Sequence, residues 1–424
     1  MTYAQVNRAA AGFAGGLQRV GLGQGDRVAV QMPNRWEFVP VLLGCLWAGV
    51  VPTQVPPAYR DHEMMWISEH IGARAFIVGQ DASGFDHARL AHQVRRRVGT
   101  VQHVCVAGEY TTDACDVASL FAGSALDRPL PSDPGQAAFF LLSGGTTDRP
   151  KVVPRTHGDY LYDVRHSVRL ADFHAERVYL AALPLVNTFP LSWPGMLGAL
   201  LVGGRTVLVT SPRPQSVIDA MSREGVVVTA AVPTVVGQRL SKYDPHRWDL
   251  ASLSLLQVDG VRMTAAQAAL AREVFGCTVQ QGYGISEGML NLTRPDDEQS
   301  IIQETQGHPY SAQDQKRVVA PDDTDVPEGR LGELLVRSPA IFSGYFGVPE
   351  HNEQAFTEGW FCTGDLVRLP SSGNLVGEGP KRFCLVDEIP LTAVGKVDKP
   401  ALKQLAIASP ELPRALVPAA CGER

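Results

Sequence analysis

Short apolar runs rich in valine alternate with helical segments along most of this chain, and that alternation restricts the possible folds more than any other feature. Residues 205–209, 226–232 and 253–258 read as strands buried on both faces. Earlier, residues 27–31 alternate in the manner of a strand, residues 36–47 read as a helix ended near Gly49, and residues 49–55 form a second strand stopped by Pro56 and Pro57. Thr2 and Gln5 have capping-box spacing ahead of the helical stripe Val6, Ala9, Ala10, Phe13 and Leu17, and Thr264 and Gln267 repeat that signal before a helix running to Phe275. Residues 138–142 and 332–337 add further strands. Strands separated by helices at this spacing predict an α/β fold with largely parallel strands.

Composition narrows the function. With 45% hydrophobic and 19% charged residues, the 424-residue chain has an ordinary globular balance and room for two or three domains. A net charge of −6 without any Lys/Arg block argues against a nucleic-acid partner. No stretch approaches the roughly 18–20 apolar residues of a membrane span, and no basic segment followed by an apolar core marks the N-terminus for secretion. The seven cysteines are scattered singly, so neither a zinc site nor a disulfide framework is indicated, and a reducing cytoplasm is the expected location.

The most informative segment is Ser143-Gly144-Gly145-Thr146-Thr147-Asp148-Arg149-Pro150-Lys151, which follows an apolar strand. Glycines and small hydroxyl residues let backbone N–H and side-chain O–H groups wrap an anion, and Lys151 adds positive charge. The spacing is not that of a Walker loop. Further along stand Pro154-Arg155-Thr156-His157, Leu255-Leu256-Gln257-Val258, Gln280-Gln281-Gly282-Tyr283-Gly284-Ile285-Ser286-Glu287-Gly288, Thr305-Gln306-Gly307, Thr363-Gly364-Asp365 and Pro390-Leu391-Thr392-Ala393-Val394-Gly395-Lys396.

In these motifs the chain resembles the adenylate-forming superfamily of acyl-CoA synthetases, luciferases and peptide-synthetase adenylation domains. Within it, the stand-alone 2,3-dihydroxybenzoate and salicylate AMP ligases are most similar. The resemblance implies stacked α/β subdomains with the active site at their junction. It implies that ATP activates an aryl carboxylic acid as aryl-AMP, which then passes to the phosphopantetheine thiol of a carrier protein in siderophore or nonribosomal peptide synthesis. Attacker and target are both anionic, so cations and aligned donors matter more than acid–base groups. By the resemblance, Ser143, Gly144, Gly145, Thr146, Thr147 and Lys151 hold the β- and γ-phosphates. Gly260, Gly282 and Ser286 line the nucleotide, Tyr283 stacks on adenine, and Asp365 accepts from the ribose hydroxyls. Glu287 helps hold Mg²⁺, and Lys396 bridges the carboxylate and the α-phosphate. Asn187, Thr188, Phe189 and Trp193 line the acid pocket.

The departures from the family pattern carry information too. Only 30 residues separate Asp365 from Lys396, where the family has a hinge and a C-terminal domain. That domain is therefore expected to be largely deleted, leaving an adenylation body over 1–370 and a remnant with a loose tail over 371–424; the start of the chain also falls late relative to the family. Fully extended, the link spans roughly 100 Å, so Lys396 is within reach of the site, but without preorganisation. Impaired thioester transfer is expected. Thr188 stands where an asparagine would bond an ortho-hydroxyl, and Trp193 where a small residue is usual, so the acid is expected not to be 2,3-dihydroxybenzoate. Two other readings stay open: a degenerate protein that binds nucleotide or a partner without turnover, and an acyl-CoA synthetase acting on free CoA. Asp148 stands where the family has glycine, beside a triphosphate. Asp148→Gly is expected to tighten ATP binding by on the order of 1 kcal/mol, read by titration calorimetry; unchanged affinity would make the aspartate harmless.

Overall fold

The valine-rich runs form strands, and the strands assemble into three sheets. The computed structural model describes residues 1–80, 84–108, 114–143 and 149–377. Gly144, Gly145, Thr146, Thr147, Asp148 and Lys396 lie outside these residues. The first sheet contains β1 (Arg27–Gln31), β2 (Val51–Gln54), β3 (Ala75–Gly79), β4 (His103–Ala107), β5 (Cys115–Asp116), β6 (Ala137–Ser143) and β7 (Lys151–Thr156), in the order β5-β4-β3-β1-β2-β6-β7. Its strands are parallel except for the β6–β7 pair.

The second sheet is built from β8 (Val178–Ala181), β9 (Arg205–Leu208), β10 (Val228–Ala231), β11 (Leu255–Val258), β12 (Thr278–Gly284), β13 (Leu290–Leu292) and β14 (His308–Pro309). Strands β9-β8-β10-β11-β12 run parallel, and β13 and β14 add an antiparallel edge. A third, antiparallel sheet holds β15 (Gln315–Val319), β16 (Leu331–Arg337), β17 (Phe356–Thr357), β18 (Trp360–Arg368) and β19 (Val376–Gly377).

The two predicted capping boxes are present at Thr2 and Thr264, opening the helices Tyr3–Arg19 and Ala265–Phe275. One buried cluster joins all three sheets, through residues such as Val30, Phe139, Tyr179, Leu290 and Leu334. Separate clusters cover the outer faces of the first and second sheets. Parallel strands covered on both faces are mostly apolar, and β10 and β11 are buried along their whole length. By contrast β9, expected to be buried on both faces, ends the sheet and is only partly buried because it has a neighbour on one side alone.

Buried polar side chains lock this arrangement. Gln257 donates to Gln280 across β11 and β12 at 2.9 Å, and Gln280 donates to the Thr293 carbonyl at 2.9 Å. Gln281 accepts from the Met263 N–H at 2.7 Å and donates to the Ile302 carbonyl at 2.8 Å. Gln306 donates to the Gly282 carbonyl at 2.9 Å, and its side-chain oxygen accepts from the Gly377 N–H at 3.0 Å. The glutamines of these motifs thus serve the scaffold, satisfying backbone groups that burial would otherwise leave unpaired. Gly307 follows with φ +73°, and a Cβ there would lie 1.9 Å from the backbone carbon of Leu292. Gly225 has φ +61° but open space around it. Gly307→Ala is therefore expected to lower the melting temperature well beyond Gly225→Ala, because only the former adds a backbone collision to the left-handed strain; equal shifts would contradict the close approach.

Candidate active site

The site is organised around the β6–β7 hairpin. Ser143 and Lys151 face each other at its loop end, one on either side of the segment that resembles a phosphate cradle. The Lys151 ammonium lies 4.7 Å from the centre of the Tyr345 ring, a cation–π contact. The Tyr345 hydroxyl donates to Glu287 Oε1 at 2.8 Å. Glu287 is buried, and burial pushes its carboxyl above the usual range, while the Tyr345 hydroxyl and the charges of Lys151 and Arg155 pull it back down. Lys151 and Glu287, both expected to serve ATP, are therefore linked through the Tyr345 side chain.

Arg155, further along β7, fixes the backbone around Glu287. Its guanidinium is fully buried. It donates to Asp159 Oδ1 at 2.9 Å and Asp163 Oδ2 at 2.7 Å. It also donates to the carbonyls of Ser286 at 2.9 Å and Ala340 at 3.1 Å. Burial works against its charge, but Asp163 and Asp159 outweigh that and hold the group charged above its ordinary value. Gly288 has φ +128°, and a Cβ there would stand 1.9 Å from the Ala340 carbonyl oxygen. The Glu287 carbonyl accepts from the Phe342 N–H at 2.8 Å. The turn carrying Ser286 and Glu287 is thus pinned on both sides.

On the nucleotide side, Tyr283 at the end of β12 donates its hydroxyl to Asp365 Oδ2 at 2.6 Å. Residues 82 positions apart, given adjacent tasks on adenine and ribose by the resemblance, are brought into contact. Burial and the Asp365 carboxylate together raise the Tyr283 hydroxyl, so it stays a donor. Thr363 braces the turn by donating to the Leu334 carbonyl at 2.8 Å and accepting from the Asp365 N–H at 3.1 Å. Gly282 lies buried beneath, and Gly260, with φ +94°, follows β11.

The residues expected to line the acid pocket lie on and beside the short helix Thr188–Ser192. Thr188 is buried and shares a 3.1 Å hydrogen bond with the Tyr160 hydroxyl. Phe189 and Trp193 are buried with ring centres 5.3 Å apart. The Trp193 indole packs on Gly284, where a Cβ would fall 1.5 Å from the ring. Asn187, by contrast, is exposed at the N-cap of the helix and makes no capping bond.

Four residues were not singled out from the sequence: Tyr345, Asp159 and Asp163, which pair with Arg155, and Asp259. Asp259 follows β11 directly, where carboxyl ends of parallel strands meet ligands, and that position was the available signal. Among the described residues no group of three or more His, Cys, Asp or Glu is poised around a metal. A single buried carboxylate such as Glu287 nevertheless suits Mg²⁺, which takes one or two carboxylates and completes its shell with phosphate and water. Arg155→Ala should strand two buried carboxylates and cost about 3–5 kcal/mol, read as a shift in chemical unfolding. Arg223→Ala, which removes an exposed ion pair, is expected to stay within about 0.5 kcal/mol. Similar losses in both would mean that Arg155 is not the clamp.

Comparison with known proteins agrees with this geometry. Residues 1–346 match the family model described as AMP-binding enzyme. The chain is 44% identical over 390 residues to a salicylyl-CoA synthase / salicylate adenylyltransferase of a Streptomyces species, covering 89% of this chain and 70% of that protein. It is 41% identical over 380 residues to the 2,3-dihydroxybenzoate-AMP ligase of Bacillus subtilis, again 89% and 70%. The apo structure of Mycobacterium smegmatis MbtA superposes with a TM-score of 0.84 at 37% identity, covering 91% of this chain and 72% of that one. By the family model and by these relatives, the chain belongs to the AMP-binding enzyme family.

Proposed function

We propose that this protein activates an aryl carboxylic acid with ATP, forming aryl-AMP and releasing pyrophosphate, for transfer to a thiol. The observation that carries the reading is the convergence of Lys151, Tyr345 and Glu287 with the Tyr283–Asp365 pair on one scaffold. The relatives that act on salicylate and 2,3-dihydroxybenzoate supply the class of acid.

In this reading a carboxylate oxygen attacks the α-phosphorus and the bond to the bridging oxygen of pyrophosphate breaks. Lys151 neutralises the departing β- and γ-phosphates, and Glu287 would hold Mg²⁺, which would supply charge screening for the triphosphate. Tyr283 and Asp365 fix adenosine, so the phosphorus lies in line with the acid; held geometry of this kind supplies much of the rate when no proton needs to move. Thr188, Phe189 and Trp193 enclose the ring. By the resemblance, Lys396 would bridge the carboxylate and the α-phosphate. The acceptor is a carrier-protein phosphopantetheine, with free CoA as the second reading, which the CoA synthase named among the relatives favours. Among the described residues no helix is long and apolar enough to cross a membrane, and the cytoplasm, where ATP is abundant, is the proposed place of action.

Acid-dependent ATP–pyrophosphate exchange across substituted benzoates and picolinates tests the proposal. Exchange with at least one acid is expected, reduced about 100-fold or more by Lys151→Ala. Loss of exchange in Lys396→Ala would place that lysine in adenylation, and persistence would show that the body works without it. No exchange with any acid, in folded protein that still binds nucleotide, would favour a binding role without turnover. Thioester formation on CoA or on a carrier protein separates the two acceptors.

A further inference from the structure

Cys105 and Cys115 are separated in the sequence by a spacing that suggests no bridge, yet the first sheet sets them side by side. Cys105 lies on β4 and Cys115 on the edge strand β5, and in this parallel pair the two are direct register partners. Neighbouring strands run about 4.7–4.9 Å apart, and partnered side chains leave the sheet on the same face. Both thiols accordingly meet the core that joins the three sheets, Cys105 wholly buried and Cys115 half-buried at its margin. A disulfide needs Cα atoms about 4.4–6.8 Å apart and Cβ vectors that do not point apart. The register meets the first condition and the shared face the second.

Their surroundings divide the chemistry between them. A hydrogen bond shared with Cys105 brings the Cys115 thiol down to about 7, helped by the Ser119 hydroxyl and opposed by burial. The same hydrogen bond, together with full burial, holds Cys105 well above the ordinary range. Cys115 is thus the thiolate that meets solvent, and Cys105 is the protonated thiol behind it. That is the arrangement of an attacking and a resolving cysteine. Cys45 also sits in this core, but it lies on the helix Phe38–Trp47, and burial keeps it protonated.

We infer that Cys105 and Cys115 form a reversible redox-modification site, closed to a disulfide by a peroxide and reopened by a thiol reductant. The Cys115 thiolate attacks one peroxide oxygen, the O–O bond breaks, and the leaving hydroxide takes a proton to become water. Cys105 then attacks the sulfur of the resulting sulfenic acid. The S–O bond breaks, and hydroxide departs with the Cys105 proton as a second water. Each sulfur gives up one electron, and the peroxide is reduced to water. The bond ties the edge strand β5, and the helix Val117–Phe121 that follows it, to β4. In a reducing compartment such a bridge is transient, which suits a sensing bond rather than a structural one. The site does not depend on the proposed adenylation.

In the test, folded protein is treated with hydrogen peroxide, its remaining thiols are alkylated before digestion, and the peptides are mapped by mass spectrometry without reductant. The expected product joins the peptides carrying Cys105 and Cys115, is lighter than their sum by two hydrogen atoms, and disappears on treatment with dithiothreitol. In Cys105→Ser, the Cys115 sulfur should instead climb to sulfinic and sulfonic acid, because no resolving thiol stands behind it. In Cys115→Ser, Cys105 should stay a thiol at peroxide levels that close the wild-type bridge; this change at a half-buried position keeps the test decisive should Cys105→Ser fold poorly. Over-oxidation of Cys115 in the wild type without the cross-link overturns the site. So does a cross-link from Cys105 to Cys45, and so do two thiols that stay reduced.

Discussion

The buried guanidinium of Arg155 is the contact on which the site depends. It arrives on β7, the strand that also delivers Lys151, and spends its donors on two carboxylates of the following helix and on two backbone carbonyls from distant parts of the chain. Arginine suits this task because its planar fork points several donors in fixed directions and keeps its charge when buried. One side chain therefore sets the spacing between the phosphate hairpin and the turn that carries Glu287. The acid stands 2.8 Å from the Tyr345 hydroxyl, and Lys151 lies over the same ring. Positive charge, aromatic ring and carboxylate hold one another in place before any nucleotide arrives.

Glycines complete the site by letting backbones and rings come close. Gly288 admits the Ala340 carbonyl, Gly307 admits the backbone at Leu292, and Gly284 admits the Trp193 indole. Each is a position where a side chain would collide, and each lies in or beside a stretch that also carries a functional group. The Tyr283–Asp365 pair and the Trp193 contact meet at β12, whose last residues are Gly282, Tyr283 and Gly284. Tyr283 turns toward Asp365, and Gly284 supports the indole. A single strand end thus carries both the tyrosine that meets Asp365 and the glycine that supports the indole, at the carboxyl end of parallel strands, where ligand crevices form in α/β sheets.

Much of the fold was legible in the sequence, because its signals are local. The capping boxes at Thr2 and Thr264 and the strand at 27–31 fall where their patterns put them. The helix expected over 36–47 begins at Phe38, and the strand expected over 226–232 is trimmed to Val228–Ala231. Ends shift by a residue or two because hydrophobic patterning marks the buried centre of an element better than its cap. The third sheet was represented by one strand only. Its antiparallel partners are short or mixed in polarity, and they pair across distances in sequence that no local period reveals.

The sequence by itself determined the alternation of strand and helix, the composition of the anion loop and the identity of the motifs, since these are properties of neighbouring residues and of their chemistry. Tertiary structure alone decided what each motif residue touches. The glutamines of the Gln257 and Gln280-Gln281 segments proved to satisfy buried backbone and amide groups, whereas Tyr283 and Asp365 were brought to 2.6 Å. It also placed Asn187 in solvent and buried Asp259 beside Gly260 and Gly284. The reason is physical: charge, hydrogen bonding and burial act between atoms a few ångströms apart, and which residues those are depends on how the chain returns on itself.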